Sequence, residues 1–238
     1  MSTSGPKSSP RSTRDPTRAK VERDASKHLD KVTGHYPKFI PFLTQKLEVQ
    51  FSGRILELGA GAAWFSAELS KLPKVVEIIA TDFGTPDQHV DTPKVFKALR
   101  AHEAKITRLP IQQHRLGFPD NHFDFVVCSG VLHNALNLLH LLREIRRVLK
   151  PGGQLVAVRE PVRPVVGWRP RTSLRPDPEM KTPLYSRGDY EKTFERAALP
   201  VTVHRVSLAT GLKYYFDKMV NGLTHARYVF IATKRGKA

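Results

Sequence analysis

Two carboxylates, a pair of glycines and a histidine stand where strand-like segments of this chain end. Glu57 precedes Gly59 by two residues and Gly61 by four, in Arg54-Ile55-Leu56-Glu57-Leu58-Gly59-Ala60-Gly61-Ala62-Ala63-Trp64-Phe65. Glycines there let a ligand approach the backbone where a Cβ would collide, and the helix start that follows offers unpaired N–H groups. Asp82 ends the apolar run Val75-Val76-Glu77-Ile78-Ile79-Ala80-Thr81, about twenty residues past the glycines, a distance that fits the second strand of a βαβ unit. Its carboxylate would accept two hydrogen bonds, and a ribose offers two adjacent hydroxyls. His133 follows another β-branched run, and its ordinary titration range suits a general base near neutral pH.

These residues need strands to carry them. An apolar run, a tight glycine turn and apolar positions at helical spacing (Ala63, Phe65, Ala67, Leu69, Leu72) predict strand, turn and helix. A dinucleotide site would want G-x-G-x-x-G or a small last residue. Counted from Gly59, that position is Trp64, too bulky for close helix–strand packing, and Glu57 has no role in that fingerprint. The frame acid-x-Gly-x-Gly-x-small, filled by Glu57, Gly59, Gly61 and Ala63, resembles the first motif of the class I S-adenosylmethionine-dependent methyltransferases. In that family the acid sits near the methionine end of the cofactor. Ala63 stands where many members have a third glycine.

Further segments carry the same resemblance. Leu116-Gly117-Phe118-Pro119-Asp120-Asn121-His122-Phe123-Asp124-Phe125-Val126 looks like the family's fourth-strand signature, with Gly117 for the usual proline. Ser129-Gly130-Val131-Leu132-His133-Asn134 is similar to the ending of that motif, and Leu149-Lys150-Pro151-Gly152-Gly153 to the turn before the fifth strand. In relatives an acid four residues before the signature leucine binds the adenine amino group. Gln112 stands there, with a side-chain oxygen able to accept the same bond and Gln113 N–H placed for the ring nitrogen. The resemblance thus implies cofactor contacts from Glu57, Gly59, Ala60, Gly61, Asp82, Phe83, Gln112, Gln113 and Ser129. His133 is the catalytic candidate; its alternative role is to orient the loop by bonding backbone.

Order along the chain follows. Residues 1–18 are Ser-, Thr-, Pro- and Arg-rich and predict a disordered basic tail. Residues 19–50 predict a helical cap in which Val21, Ala25, His28, Leu29 and Val32 form one amphipathic helix ended by Gly34, before Pro37 and Pro41. In relatives such an extension covers the cofactor cleft, so His28, His35 and Tyr36 are either lid residues or a packing face. Residues 51–238 predict the main domain. A helix is expected over Asn134–Lys150, with Leu138, Leu141, Leu142, Ile145, Val148 and Leu149 on one side. The Lys150-Pro151-Gly152-Gly153 turn, whose glycines need positive φ, stops it. A long Pro/Arg-rich connection at 162–183, with Arg163, Trp168 and Arg169, is where substrate-side insertions sit in the family. Val201–Leu208 and Arg227–Thr233 are the last two strands, an antiparallel closing pair. The implied fold is α/β: a Rossmann-like, seven-stranded, mostly parallel sheet with an antiparallel last strand and helices on both faces.

At 238 residues the chain suits one sizeable domain. Its single cysteine, Cys128, gives no disulfide framework and fits a cytoplasmic setting. No apolar run approaches a membrane span. A formal net charge of +17 speaks to partners rather than fold. No cluster has zinc or magnesium ligand spacing, so the expected reaction is metal-free. The expected function is methyl transfer to an O, N or C nucleophile of a small molecule, an anionic one suiting the loop arginines. Two rivals remain: a non-catalytic cofactor-binding scaffold, and methylation of RNA or another polyanion. Against the last, there is no Asn/Asp-Pro-Pro-aromatic run for exocyclic amines and no Pro-Cys pair for pyrimidine C5. Oligomeric state is not encoded in any of these features.

Overall fold

The computed structural model describes residues 26–82, 92–111, 115–162, 185–206 and 227–236. The expectations for the 1–18 tail, Phe83, Gln112, Gln113 and the arginines of the 162–183 connection lie outside them. Seven strands, β1 (Gly53–Leu58), β2 (Val75–Asp82), β3 (Ile106–Pro110), β4 (Phe123–Ser129), β5 (Leu149–Pro161), β6 (Val201–Arg205) and β7 (Arg227–Thr233), form one sheet in the order β3-β2-β1-β4-β5-β7-β6. The pairs β1/β2, β1/β4, β2/β3 and β4/β5 are parallel, and β7 runs antiparallel to both β5 and β6. The order reverses between β1 and β4, so the crevice for a ligand opens beyond the carboxyl ends of those strands.

Strands buried on both faces read as continuous apolar runs, and period two sorts their side chains into two layers. One layer takes Ile55, Ile78, Ala80, Phe125, Val127, Val156 and Val158 against helices α1 (Trp64–Ser70) and α2 (Thr92–Leu99) and the N-terminal cap. The other takes Leu56, Leu58, Val126, Cys128, Leu155 and Ala157 against α3 (Leu138–Val148) and α4 (Arg187–Arg196). Among the described residues no helix is long and apolar enough to cross a membrane.

Three sequence expectations are corrected. Gly34 does not end the N-terminal helix: Lys31–His35 is a π-helical turn, followed by a 3-10 turn at Tyr36–Lys38, a short α turn at Phe39–Pro41 and a second π turn at Phe42–Lys46. Pro37 lies in the first positions of the 3-10 turn, where its missing N–H costs nothing. Burial of Val32, Tyr36, Phe39, Ile40 and Leu43 holds the run together across its irregular pitch.

The second correction concerns α3, which begins at Leu138 rather than Asn134. Asn137 is its N-cap, accepting the His140 N–H at 3.0 Å, and the residues before it form a 3-10 turn at Leu132–Asn134 that ends in extended backbone at Ala135.

The third concerns the turn at Lys150–Gly153, which is already part of β5. Gly152 has φ +80° but Gly153 does not lie at positive φ. Gly153 is needed for space: a Cβ there would sit 2.9 Å from the carbonyl oxygens of both Asp124 and Lys150. Backbone atoms cannot give way as a side-chain tip can. Gly153→Ala is therefore expected to destabilise the fold by about 2 kcal/mol, read as a lower urea midpoint at unchanged slope.

Candidate cofactor-binding site

The last cap-side position of four strands is polar, Asp82 on β2, Glu57 on β1, Ser129 on β4 and Arg159 on β5, and on β3 Arg108 stands one period before the terminal Pro110. On β1, β2, β4 and β5 the apolar alternation breaks there, which is how a sheet core gives way to a site.

The glycine turn is fastened from three of these positions. Ala63, at the N-cap of α1, has left-handed backbone and no capping side chain. Glu57 supplies the missing acceptor from β1, taking the Ser66 N–H at 2.9 Å and the Ser66 hydroxyl as well. Gly61 is clasped at both ends. Its N–H donates to Asp82 Oδ2 at 2.8 Å, and its carbonyl accepts from Arg108 Nη2 at 2.9 Å. Arg108 is itself held by Thr92 Oγ1 at 2.7 Å. Ala60 N–H donates to the Thr81 carbonyl at 2.9 Å, which fixes the turn to β2.

The two glycines differ in purpose. Gly59 (φ +62°) makes room for protein, since a Cβ would approach Val131 Cγ2 to 2.6 Å. Gly61 (φ +49°) has nothing within 4 Å of the place its Cβ would occupy, so open space borders the turn there. A cavity of about 230 Å³ lies beside it, lined by Gly59, Asp82, Ser129, Gly130, Val131 and the segment 134–137 at the start of α3. Small-ligand pockets run to about 300–1,000 Å³. Leu136 is 75% exposed and gives this rim an apolar surface. A carboxylate at one end, a glycine turn beside it and an apolar wall fit an adenosyl compound.

Glu57 is not part of that lining. Its carboxyl is buried, and burial pushes its pKa up to about 7 against the two Ser66 hydrogen bonds, which pull it down. It braces the turn from beneath.

His133 is likewise not among the residues that line the cavity. Its side chain is 11% exposed, and Nδ1 lies 3.0 Å from Glu160 Oε2. The fully buried Glu160 carboxylate also accepts the N–H groups of Val131, Leu132 and His133 at 2.8, 3.0 and 3.2 Å. Three backbone donors and an imidazole thus gather one acid into the turn after β4.

Sequence reasoning did not find Arg108, Arg159 or the function of Glu160. Arg159 has φ +61°, a conformation that costs a non-glycine residue about 1–2 kcal/mol. It falls where the β5/β7 register shifts between Ala157 and Glu160, and such bulges re-aim side chains. Arg159 Nη1 donates to Ser129 Oγ at 3.0 Å and Nη2 to the Tyr36 hydroxyl at 2.7 Å. The adjacent arginine and glutamate at a strand end were the available signal. Among the described residues no group of three or more His, Cys, Asp or Glu is placed to hold a metal ion.

Comparison with known proteins agrees with this geometry. Residues 56–157 match a family model described as a methyltransferase domain. The demethylmenaquinone methyltransferase of Listeria welshimeri is 31% identical over 128 residues, 53% of each chain; the chain spans about half the length of the curated relatives it matches. Among solved structures, a SAM-dependent methyltransferase from Aquifex aeolicus superimposes with a TM-score of 0.60 at 19% identity, covering 93% of this chain and 99% of the other. Phosphoethanolamine N-methyltransferase 2 of Haemonchus contortus, with S-adenosyl-L-methionine bound, gives 0.66 at 14% identity over 87% of this chain and 56% of that one.

The pKa of Glu57 makes a sign-definite prediction. A carboxyl raised from 4.5 to about 7 favours the folded state while protonated. That contribution is complete below the ordinary value and is lost as pH rises through the folded one. Glu57→Gln keeps an oxygen for Ser66 and cannot ionise. The unfolding free energy of the variant relative to wild type should therefore rise by about 3 kcal/mol across this window, measured by urea unfolding at a series of pH values. A flat difference would refute it.

Proposed function

We propose, for a chain whose residues 56–157 form a methyltransferase domain within the class I S-adenosylmethionine-dependent fold, that it transfers a methyl group from S-adenosylmethionine to an O, N or C nucleophile of a small molecule. The observation that carries this reading is the clasp on Gly61, which sets the Asp82 carboxylate at the edge of an open cavity beyond β1, β2 and β4. When bound, S-adenosylmethionine supplies a methyl group on a sulfonium, already activated for transfer. What remains for the protein is to hold and align, and alignment of reactants alone is worth roughly 7–11 kcal/mol of barrier.

In this reading Asp82 receives the ribose hydroxyls. Gly59, Ala60 and Gly61 border the methionine part, and Ser129 and Val131 wall the opposite side. Gln112 and Gln113 are retained as adenine contacts, and Phe83 as a further cofactor contact, on the family resemblance alone. Glu57 keeps the turn in shape from below. His133, tied to Glu160, positions the turn after β4, and a base is required only where the acceptor must lose its proton early.

Part of the positive charge is not available to a nucleic acid. A polyanion site needs basic side chains directed at phosphates. Arg147 is occupied instead by Glu144 and Asp120, and Lys150 by Asp124, each at 2.8 Å.

Asp82→Asn separates binding from folding, because the amide oxygen still accepts the Gly61 N–H. Affinity for S-adenosylmethionine by calorimetry should fall about 10- to 100-fold with the melting temperature of the free protein little changed. Unaltered affinity would remove Asp82 from the ribose. Labelled-methyl transfer into fractionated cell extract, lost in the same variant, tests catalysis against a scaffold role.

A further inference from the structure

We infer that Tyr36 and Arg159 form a latch between the N-terminal cap and the cofactor cavity, so that a ligand in the cavity holds the cap shut and a shut cap tightens the grip on the ligand. Neither side chain lines the cavity. Both are positioning residues that act on Ser129, which does line it. The inference rests on the methyl-transfer reading for the identity of the ligand.

The first observation is continuity. The Tyr36 hydroxyl accepts from Arg159 Nη2 at 2.7 Å across 123 residues of sequence, and Arg159 Nη1 donates to Ser129 Oγ at 3.0 Å. One planar guanidinium thus joins the cap to the cavity wall. Its fork is rigid, so a shift at either bond is passed to the other. The guanidinium carbon also stands 3.7 Å from the centre of the Tyr36 ring, which engages the face of the same tyrosine. The bulge in β5 sends the arginine there at the expense of a left-handed backbone. A strained conformation kept by a residue other than glycine points to use of its side chain.

The second is how the cap is built. Two π turns, a 3-10 turn and a short α turn follow one another from Lys31 to Lys46, and Pro37 and Pro41 have no N–H to give. Each π turn holds a threonine whose hydroxyl donates to the carbonyl four residues earlier, Thr33 to Leu29 at 2.9 Å and Thr44 to Ile40 at 3.0 Å. Such bonds compete with a regular ladder and bend a helix. A run of this kind owes its place to what it packs on more than to its own hydrogen bonds.

The third is position. Tyr36 is buried, and its ring centre lies 5.5 Å from that of Trp64, the first residue of α1 after the glycine turn. The same residue therefore meets one flank of the crevice through Trp64 and the other through Arg159 and Ser129.

The test follows backbone amide exchange at residues 31–46 of the full chain, free and saturated with S-adenosylhomocysteine, with α3 and β4 as internal reference. In wild type the ligand should slow exchange of the cap about 10-fold. Tyr36→Phe keeps the ring on Trp64 and removes only the hydroxyl. It should abolish most of that slowing and weaken adenosylhomocysteine, by calorimetry, by a matching factor, because coupling between two sites is reciprocal. Arg159→Gln should behave alike. A wild-type cap that ignores the ligand, or a Tyr36→Phe variant that keeps both the slowing and the affinity, would overturn the latch and leave the methyl-transfer reading standing. Lower affinity in Arg159→Gln with the cap still slowed would make Arg159 a direct ligand contact, and equal loss of protection in α3 and β4 would mark a general destabilisation; each counts against the latch. If wild type binds no adenosylhomocysteine, the methyl-transfer reading falls and takes the latch with it.

Discussion

A turn with left-handed residues at Gly59, Gly61 and Ala63 has no regular hydrogen-bond pattern of its own, and it must still present a fixed surface to a ligand. Its backbone groups are satisfied from neighbouring strand ends: Asp82 takes the Gly61 N–H, Arg108 gives to the Gly61 carbonyl, and Glu57 takes the Ser66 N–H at the start of α1. Glu57 is the deepest of these and sits in the least favourable place for a charge. Buried polar groups of this kind are tolerated because the bonds they complete would otherwise be open. Everything else about the site follows from the turn being held still.

The same device recurs on the opposite layer. Glu160 gathers three successive N–H groups and the His133 imidazole, which fixes the segment between β4 and α3. That segment borders the same cavity. Two buried acids, one per layer, thus shape the two sides of the crevice where the strand order reverses.

Much of this was legible in the chain. The strand–turn–helix at 54–65, the acid ending β2 and the antiparallel last strand could be read because period-two and period-3.6 patterns and glycine spacing are local. The cap was not legible in detail: Gly34, Pro37 and Pro41 signal a break, but burial of Tyr36, Phe39 and Leu43 overrides local preference. Nor was the role of Gly153 visible, since its constraint is the carbonyl of Asp124, distant in sequence. His133 looked like a base because its residue type and position suit one, and only tertiary structure reveals the acid that engages it. Trp64 excluded a dinucleotide frame by its bulk. The structure adds what that bulk does, which is to seat the cap through Tyr36 and Phe39.

The bulge in β5 has a wider meaning. By advancing the strand one half-period, it sends Arg159 to the layer of the cap and Glu160 to the layer of α3. Adjacent residues of opposite charge therefore serve separate compartments of the protein. Replacement at position 159 would act on the contacts to Ser129 and Tyr36 and leave in place the acid that organises the neighbouring loop. One irregular peptide keeps these two sets of contacts independent of each other.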